Sequence, residues 1–216
     1  MSVYDRIKKR IAERYADLEF AKRMGEAEAR IKTLELSERL YYRRQSLLRW
    51  RVPEATWPHL DAPQATDAWR ASAAFLEADA AEERFLVLAG PRGRGKTVAE
   101  SWMVAQLSGR YFLAQDLVRL SSFDRALWDE LSSVALLAID DLGSERGNDE
   151  FDANLYALLD GRFRRLRKTA LATNLTASQF RERYASGPMA RLHERLVTGG
   201  EWVNLPGVTM RAVGAP

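Results

Sequence analysis

Gly90-Pro91-Arg92-Gly93-Arg94-Gly95-Lys96-Thr97 follows the short apolar run Phe85-Leu86-Val87-Leu88-Ala89 and precedes a segment of helical character. The spacing G-x-x-x-x-G-K-[ST] between a strand and a helix is that of a phosphate-binding loop. Its glycines let the backbone fold back so that successive N–H groups point at one phosphate, and the start of a helix adds positive potential. Lys96 is placed to reach the β and γ phosphates of a nucleotide, and the Thr97 hydroxyl to hold magnesium. A glycine-rich hairpin turn is the competing reading, and the flanking strand and helix argue against it.

Outward from this loop, apolar strands and helices alternate, as in a parallel sheet covered on both faces. The expected strands are Phe85 to Ala89, Tyr111 to Ala114, Val134 to Asp140, Thr169 to Thr173 and Glu201 to Leu205. The helices between them are expected over Thr97 to Leu107, Gln115 to Leu120, about Asp124 to Leu131, Asp149 to Leu166, and Ala177 to Tyr184 continuing to about Leu196. A further helix from about Thr66 to Ala78 carries Trp69, Ala73 and Leu76 on one side.

Val134-Ala135-Leu136-Leu137-Ala138-Ile139-Asp140-Asp141 is an apolar run ending in two carboxylates, as a buried strand delivers acidic groups to the ligand-binding edge of a sheet. It has the form of a Walker B strand. Asp140 is expected to bind magnesium, directly or through water, and Asp141 to orient or deprotonate the attacking water. A strand that stops at an Asp-Asp turn is the plainer alternative.

Thr173-Asn174 closes the Thr169 strand, which should lie between the phosphate-loop strand and the Walker B strand. Asn174 there would hold the water or the γ phosphate, the position called sensor 1; a turn-forming Asn is the alternative. A strand inserted between those two defines the ATPase branch with an added catalytic strand.

Beyond Ser186-Gly187-Pro188, Arg191 and Arg195 share a helix face four residues apart. One arginine here would reach across a subunit boundary to stabilise charge on a transferring phosphoryl group, with Arg191 preferred and Arg195 as an anchor within the subunit. A salt-bridged helix surface is the competing reading for both. Arg211 would either reach the γ phosphate in cis, as a sensor 2 group, or belong to a solvated tail. The cluster Arg162-Phe163-Arg164-Arg165-Leu166-Arg167-Lys168 holds more cations than a helix C-terminus requires, so contact with a phosphate backbone stands beside capping.

The chain of 216 residues suits one well-buried α/β domain with an appendage. Its 46% hydrophobic and 29% charged residues have a soluble globular balance, and no apolar run approaches the length that spans a bilayer. No cleavable signal is visible after Met1, and the lack of cysteine excludes disulfides and thiolate metal sites, which suits a reducing cytoplasm. The net charge of +3 is uneven: residues 1–50 carry 13 Lys/Arg against 8 Asp/Glu, the remainder 20 against 22. Such a bias favours an anionic partner, or is the solvation of a mixed-charge helix.

Residues 2–50 lack proline, contain one glycine, Gly25, and place Ile7, Ile11, Leu18, Ile31, Leu34, Leu40 and Leu47 at helical spacings, so one long helix or two are expected. Their apolar stripe is too narrow to form a core alone and must pack on something, a partner among the candidates. Pro53, Pro58 and Pro63 then interrupt the helical pattern, and residues 51–66 read as a linker wrapping the next domain.

Together these motifs resemble the AAA+ ATPases of the DnaC-type helicase loaders and the similar IstB-type transposition helpers, over roughly residues 47–211. Leu47 to Pro53 resembles the lead-in to the core and Gly90 to Thr97 the Walker A loop. Leu136 to Gly143 is similar to the family's Asp-Asp-x-Gly Walker B, Tyr156 to Arg162 followed by Ala172 to Leu175 to its helix and sensor 1 strand, and Arg191 to Leu196 to its arginine-finger segment. The resemblance implies an α/β three-layer sandwich with a five-stranded parallel sheet of order 5-1-4-3-2, preceded by an N-terminal helical segment. It implies an N-terminal partner-binding segment (1–50), a linker (51–66) and an AAA+ ATPase domain (67–216). ATP and Mg2+ are the implied ligands, with the nucleotide held by Gly90 to Thr97, Val98 and Arg211.

A cytoplasmic helicase loader of this kind would bind single-stranded DNA with its AAA+ module, grip a hexameric replicative helicase with its N-terminal segment and assemble into an open ring or spiral. The alternatives are an ATPase helper of a transposase and a nucleotide-binding adaptor without hydrolysis. Asp141 stands where many AAA+ sites have Glu, so slow, switch-like hydrolysis is expected, and the C-terminal lid that most AAA+ proteins carry is expected to be almost absent. Gln115 to Leu120 and Ser121-Ser122-Phe123 are the candidates for lining the DNA path.

Overall fold

The computed structural model describes residues 3–61, 65–120 and 124–207. It divides into two compact units, Met1–Ser46 and Leu47–Pro216. The first is a single element: helix α1 runs without a break over Val3–Arg49. Gly25 does not divide it, because an isolated glycine weakens a helix without removing a backbone donor. Met24, Leu34, Leu36, Leu40, Tyr41 and Tyr42 are exposed along this helix.

The second unit is built on strands β1 (Phe85–Ala89), β2 (Arg110–Leu113), β3 (Leu136–Asp140), β4 (Lys168–Thr173) and β5 (Gly200–Asn204). All are parallel, in the order β2-β3-β4-β1-β5, so β4 lies between the phosphate-loop strand β1 and the Asp-Asp strand β3. This is the anticipated order written from the other edge. Successive residues of β1 point to opposite faces: Phe85 and Val87 enter one core, Leu86 and Leu88 the other. The first core also holds α4 (Ala114–Val118), α5 (Arg125–Ser133), α6 (Asp149–Arg164), α7 (Ala177–Arg183) and α8 (Ala190–Thr198). On the opposite face lie α2 (Asp67–Glu77) and α3 (Lys96–Leu107).

Local chemistry sets the ends. Thr66 caps α2 by accepting from the Trp69 N–H, and Asn148 caps α6 by accepting from Phe151, whose helix then opens on Asp149, Glu150 and Asp152. Thr176 and Gln179 form a reciprocal capping box on α7.

Three expectations change in detail. The helix projected from Ala177 to Leu196 is two, since the chain leaves α7 at Tyr184 and makes a 3-10 turn over Gly187–Met189 before α8; Gly187, at φ +63, and Pro188 break the helical path. On α2 the buried line is Ala68, Ser72 and Phe75, while Trp69, Ala73 and Leu76 flank it half-buried. Residues 51–66, read above as a linker wrapping the next domain, contain a 3-10 helix, Glu54–His59, and bury Val52, Thr56 and Leu60.

The third change concerns the basic cluster. Arg162 is fully buried: its Nε donates to Thr169 Oγ1 (2.9 Å), and Nη1 to the carbonyls of Leu131 (2.6 Å) and Val134 (2.9 Å). Its Nη2 donates to the Lys168 carbonyl, and burial, with Arg167 nearby, pulls the guanidinium down to about 9. Lys168 is also buried, donating to the Phe75 carbonyl above that ring. Neither is available to a nucleic-acid backbone; Arg164, Arg165 and Arg167 are exposed. Among the described residues no helix is long and apolar enough to cross a membrane.

Candidate nucleotide site

At the carboxyl edge of β1 the chain turns sharply. Gly90, at φ +151, allows this because a Cβ there would lie 2.5 Å from the Leu205 carbonyl oxygen. Gly95, at φ +81, ends the loop in a left-handed conformation and caps α3. The loop lines a cavity of about 630 Å³ through Arg92 to Thr97, with Val98 and Ala99 behind. His59, Thr66, Trp69 and Leu113 supply other walls, and Asp140, Asp141 and Asn174 face the loop.

These polar groups are mutually bonded. Lys96 Nζ donates to the carbonyls of Gly90 (2.6 Å) and Pro91 (3.0 Å) and to Asn174 Oδ1 (3.0 Å). Asn174 Nδ2 donates to Asp141 Oδ1 at 2.6 Å, and Ser144 Oγ donates to Asp141 Oδ2 at 2.8 Å. The Asp141 N–H donates to Asp140 Oδ1 at 2.7 Å. Thr97 Oγ1 and the Tyr111 hydroxyl both donate to Asp140 Oδ2, at 2.6 and 2.7 Å. Asp141 takes φ +57, a left-handed conformation that Asp tolerates better than most residues, at the turn leaving β3.

Burial pulls the Lys96 ammonium below its ordinary range, against the opposing pull of Asp140 and Asp141. Burial and the Asp140 carboxylate push the Tyr111 hydroxyl up, so it stays a donor. Beneath the loop, Glu100 on α3 is fully buried and neither carboxyl oxygen reaches a hydrogen-bond partner. Burial first, then Asp140, raises its pKa well above the carboxylate range and favours the neutral acid. Farther along the loop after β3, Glu145 accepts from the Gly143 N–H (2.6 Å), the Tyr184 hydroxyl and Arg183, which fastens that loop to α7.

Thus Thr97, Lys96, Asp140, Asp141 and Asn174 come together, while Arg191 lies exposed on α8 and is not part of the cavity wall. Arg195 lies 3.3 Å from Asp160 and over the Phe163 ring, contacts within its own subunit. Arg211 and the stretch Ser121 to Phe123 lie outside the described residues. Sequence reasoning did not single out Tyr111, Glu100 or Glu145. Glu100 offers the one visible signal, a carboxylate four residues after the loop lysine and next to Ala99 and Ser101, which are buried with it.

The donor set suits a magnesium nucleotide. A hard cation takes oxygen ligands and leaves several positions to water and phosphate, and Thr97 and Asp140 place two oxygens side by side at the loop's end. Among the described residues no cluster of three His, Cys, Asp or Glu forms a cage independent of such a ligand.

No protein-family model and no curated protein matches the chain. Solved structures do match by fold. The DnaC helicase loader aligns with a TM-score of 0.57 at 19% identity, covering 71% of this chain and 100% of that one. The DnaI structure gives 0.55 at 19% identity, covering 76% and 94%. The replication initiator DnaA bound to AMPPCP and single-stranded DNA gives 0.54 at 16% identity over 68% of this chain. The chain spans 47% of that DnaA and 44% of a matching DNA replication initiation factor. These likenesses show that the chain shares the fold of those structures.

Proposed function

We propose that the chain is an AAA+ ATPase that loads a hexameric replicative helicase onto single-stranded DNA in the cytoplasm. One observation carries the reading: an unbroken run of hydrogen bonds joins Lys96, Asn174, Asp141, Asp140 and Thr97 around one cavity at the edge of the sheet. The fold shared with the DnaC helicase loader, and with a DnaA that binds AMPPCP and single-stranded DNA, supports it.

In this reading the amides from Arg92 to Thr97 hold the phosphates, with Gly90, Pro91 and Val98 shaping the loop, and Lys96 exchanges its carbonyl contacts for phosphate oxygens. Thr97 and Asp140 would hold magnesium, which would supply positive charge to offset that of the phosphates. Asn174 positions the attacking water or the γ phosphate. Asp141 takes a proton from that water as its oxygen bonds to the γ phosphorus and ADP leaves. Arg191, exposed on α8, serves a neighbouring subunit in an open ring or spiral, and Arg211 senses the γ phosphate in cis. Residues 1–50 grip the helicase, a role suited to the exposed Leu34, Leu40 and Tyr41 of α1; residues 67–216 form the ATPase module, reached through 51–66.

The test uses the full chain. Fluorescent single-stranded DNA is titrated with and without ATP at two salt concentrations, and candidate helicase hexamers are co-purified with it. ATP-dependent, salt-sensitive DNA binding with helicase capture is expected. Absence of DNA binding in every state removes the loading role, and phosphate release equal in wild type and Lys96→Ala removes the ATPase.

A further inference from the structure

We propose that Tyr111 is a positioning residue for the metal-binding carboxylate of Asp140. The inference rests on the nucleotide-site reading above. Asp140 Oδ2 receives two hydroxyl donors, Thr97 from the phosphate loop and Tyr111 from the neighbouring strand β2. Oδ1 receives the Asp141 amide. The carboxylate is therefore clamped about its own axis, with Oδ2 turned toward Thr97. When a metal replaces the direct Thr97 contact, Tyr111 is the side-chain donor left to hold that orientation, and outer donors of this kind tune metal affinity.

Tyr111 is itself held in place. Its ring is buried in the core shared by α2, α3 and the lead-in to the second unit. Its register partner in β3 is Ala138, two residues before Asp140. On the free edge of β2 its amide donates to the Trp50 carbonyl at 2.9 Å, and the next residue, Phe112, lies beneath the Arg51 guanidinium, 4.4 Å from the ring centroid. Backbone and ring are both fixed, so the hydroxyl meets Asp140 without ordering a free side chain when ligand arrives. A tyrosine kept merely to fill the core would need no hydroxyl here; phenylalanine fills the same volume.

Tyr111→Phe removes that oxygen alone. ATP affinity is measured calorimetrically on the full chain with Mg2+ and with EDTA, for wild type, Tyr111→Phe, Asp140→Asn and the double variant. The affinity in EDTA should stay within about twofold, while the tightening produced by Mg2+ should fall about tenfold, the lower end for loss of an outer donor at a metal site. In the Asp140→Asn background the tyrosine substitution should change nothing further, which separates orientation of Asp140 from general loosening. A wild type that responds to Mg2+ beside a Tyr111→Phe variant that responds equally overturns the inference and leaves the function standing. Equal losses in Mg2+ and EDTA overturn it too, by showing that the whole cleft was disturbed. A wild type whose ATP affinity ignores Mg2+ overturns both.

Discussion

Thr97 and Asp140, 43 residues apart, meet hydroxyl to carboxylate at 2.6 Å, joining the start of α3 to the end of β3. In the proposed reading these two oxygens are the protein's share of a magnesium site whose other positions go to water and phosphate. Thr97→Ala should leave ATP binding in EDTA within about twofold of wild type and remove most of the tightening due to Mg2+, on the order of 10- to 100-fold. Thr97→Ser should restore it, because the hydroxyl is retained. Titration calorimetry with and without the metal checks both variants.

Asn174 bridges opposite charges: its oxygen faces the Lys96 ammonium and its amide nitrogen the Asp141 carboxylate. Asn174→Asp would place a third carboxylate beside Asp140 and Asp141, whereas Asn174→Ala deletes the bridge. Both should retain ATP binding and lose hydrolysis, by about 10²-fold or more if Asp141 is the base it orients. Single-turnover phosphate release read beside equilibrium binding separates the two effects. An Asn174→Ala chain that hydrolyses at the wild-type rate would reduce this residue to a turn former.

Strands β1 and β3 were legible as compact apolar runs, and the phosphate loop and the Asp-Asp pair mark their carboxyl ends; the full order of the sheet came from the family resemblance, because an apolar run places a strand without ordering it among its neighbours. Lys96, Thr97, Asp140, Asp141 and Asn174 could be grouped through the same motifs and that resemblance. Tyr111 could not, since its contact depends on the register of β2 against β3 and crosses from one strand to the next. The break between α7 and α8 was hidden by apolar residues that keep helical spacing on both sides of Gly187. The charge cluster misled most: nothing local distinguishes Arg162, folded inward, from Arg165 or Arg167, which remain outside.

That difference in direction has a measurable consequence. Arg162 joins α6 to three carbonyls, Leu131 and Val134 at the end of α5 and Lys168 at the start of β4, and to the Thr169 hydroxyl. Arg162→Met conserves much of the volume but strands those buried carbonyls, and an unmet buried polar group costs about 1–3 kcal/mol. A loss of about 3 kcal/mol or more is expected in urea unfolding of the whole chain. Arg167→Met, on the exposed side, should stay within about 0.5 kcal/mol. Reduced DNA affinity in Arg165→Ala or Arg167→Ala, with stability unchanged, would give the exposed part of the cluster its phosphate contact.

Glu100 runs the other way. Its carboxyl group is completely buried, and its pKa lies well above the carboxylate range because burial, then Asp140, outweigh Lys96 and the Ala172 backbone, which favour the charge. A carboxyl oxygen left unmet at this depth costs about 1–3 kcal/mol. An apolar side chain of similar size removes that cost without opening a large cavity, so Glu100→Leu should stabilise the chain by about 1 kcal/mol in urea unfolding. Glu100→Ala should not, because the cavity it creates offsets the gain. The stabilised variant also reports on function: a buried acid kept only by history leaves ATP affinity and turnover unchanged, while one that tempers Lys96 and Asp140 alters them. Destabilisation by leucine would mean that the carboxyl group has a partner in solution.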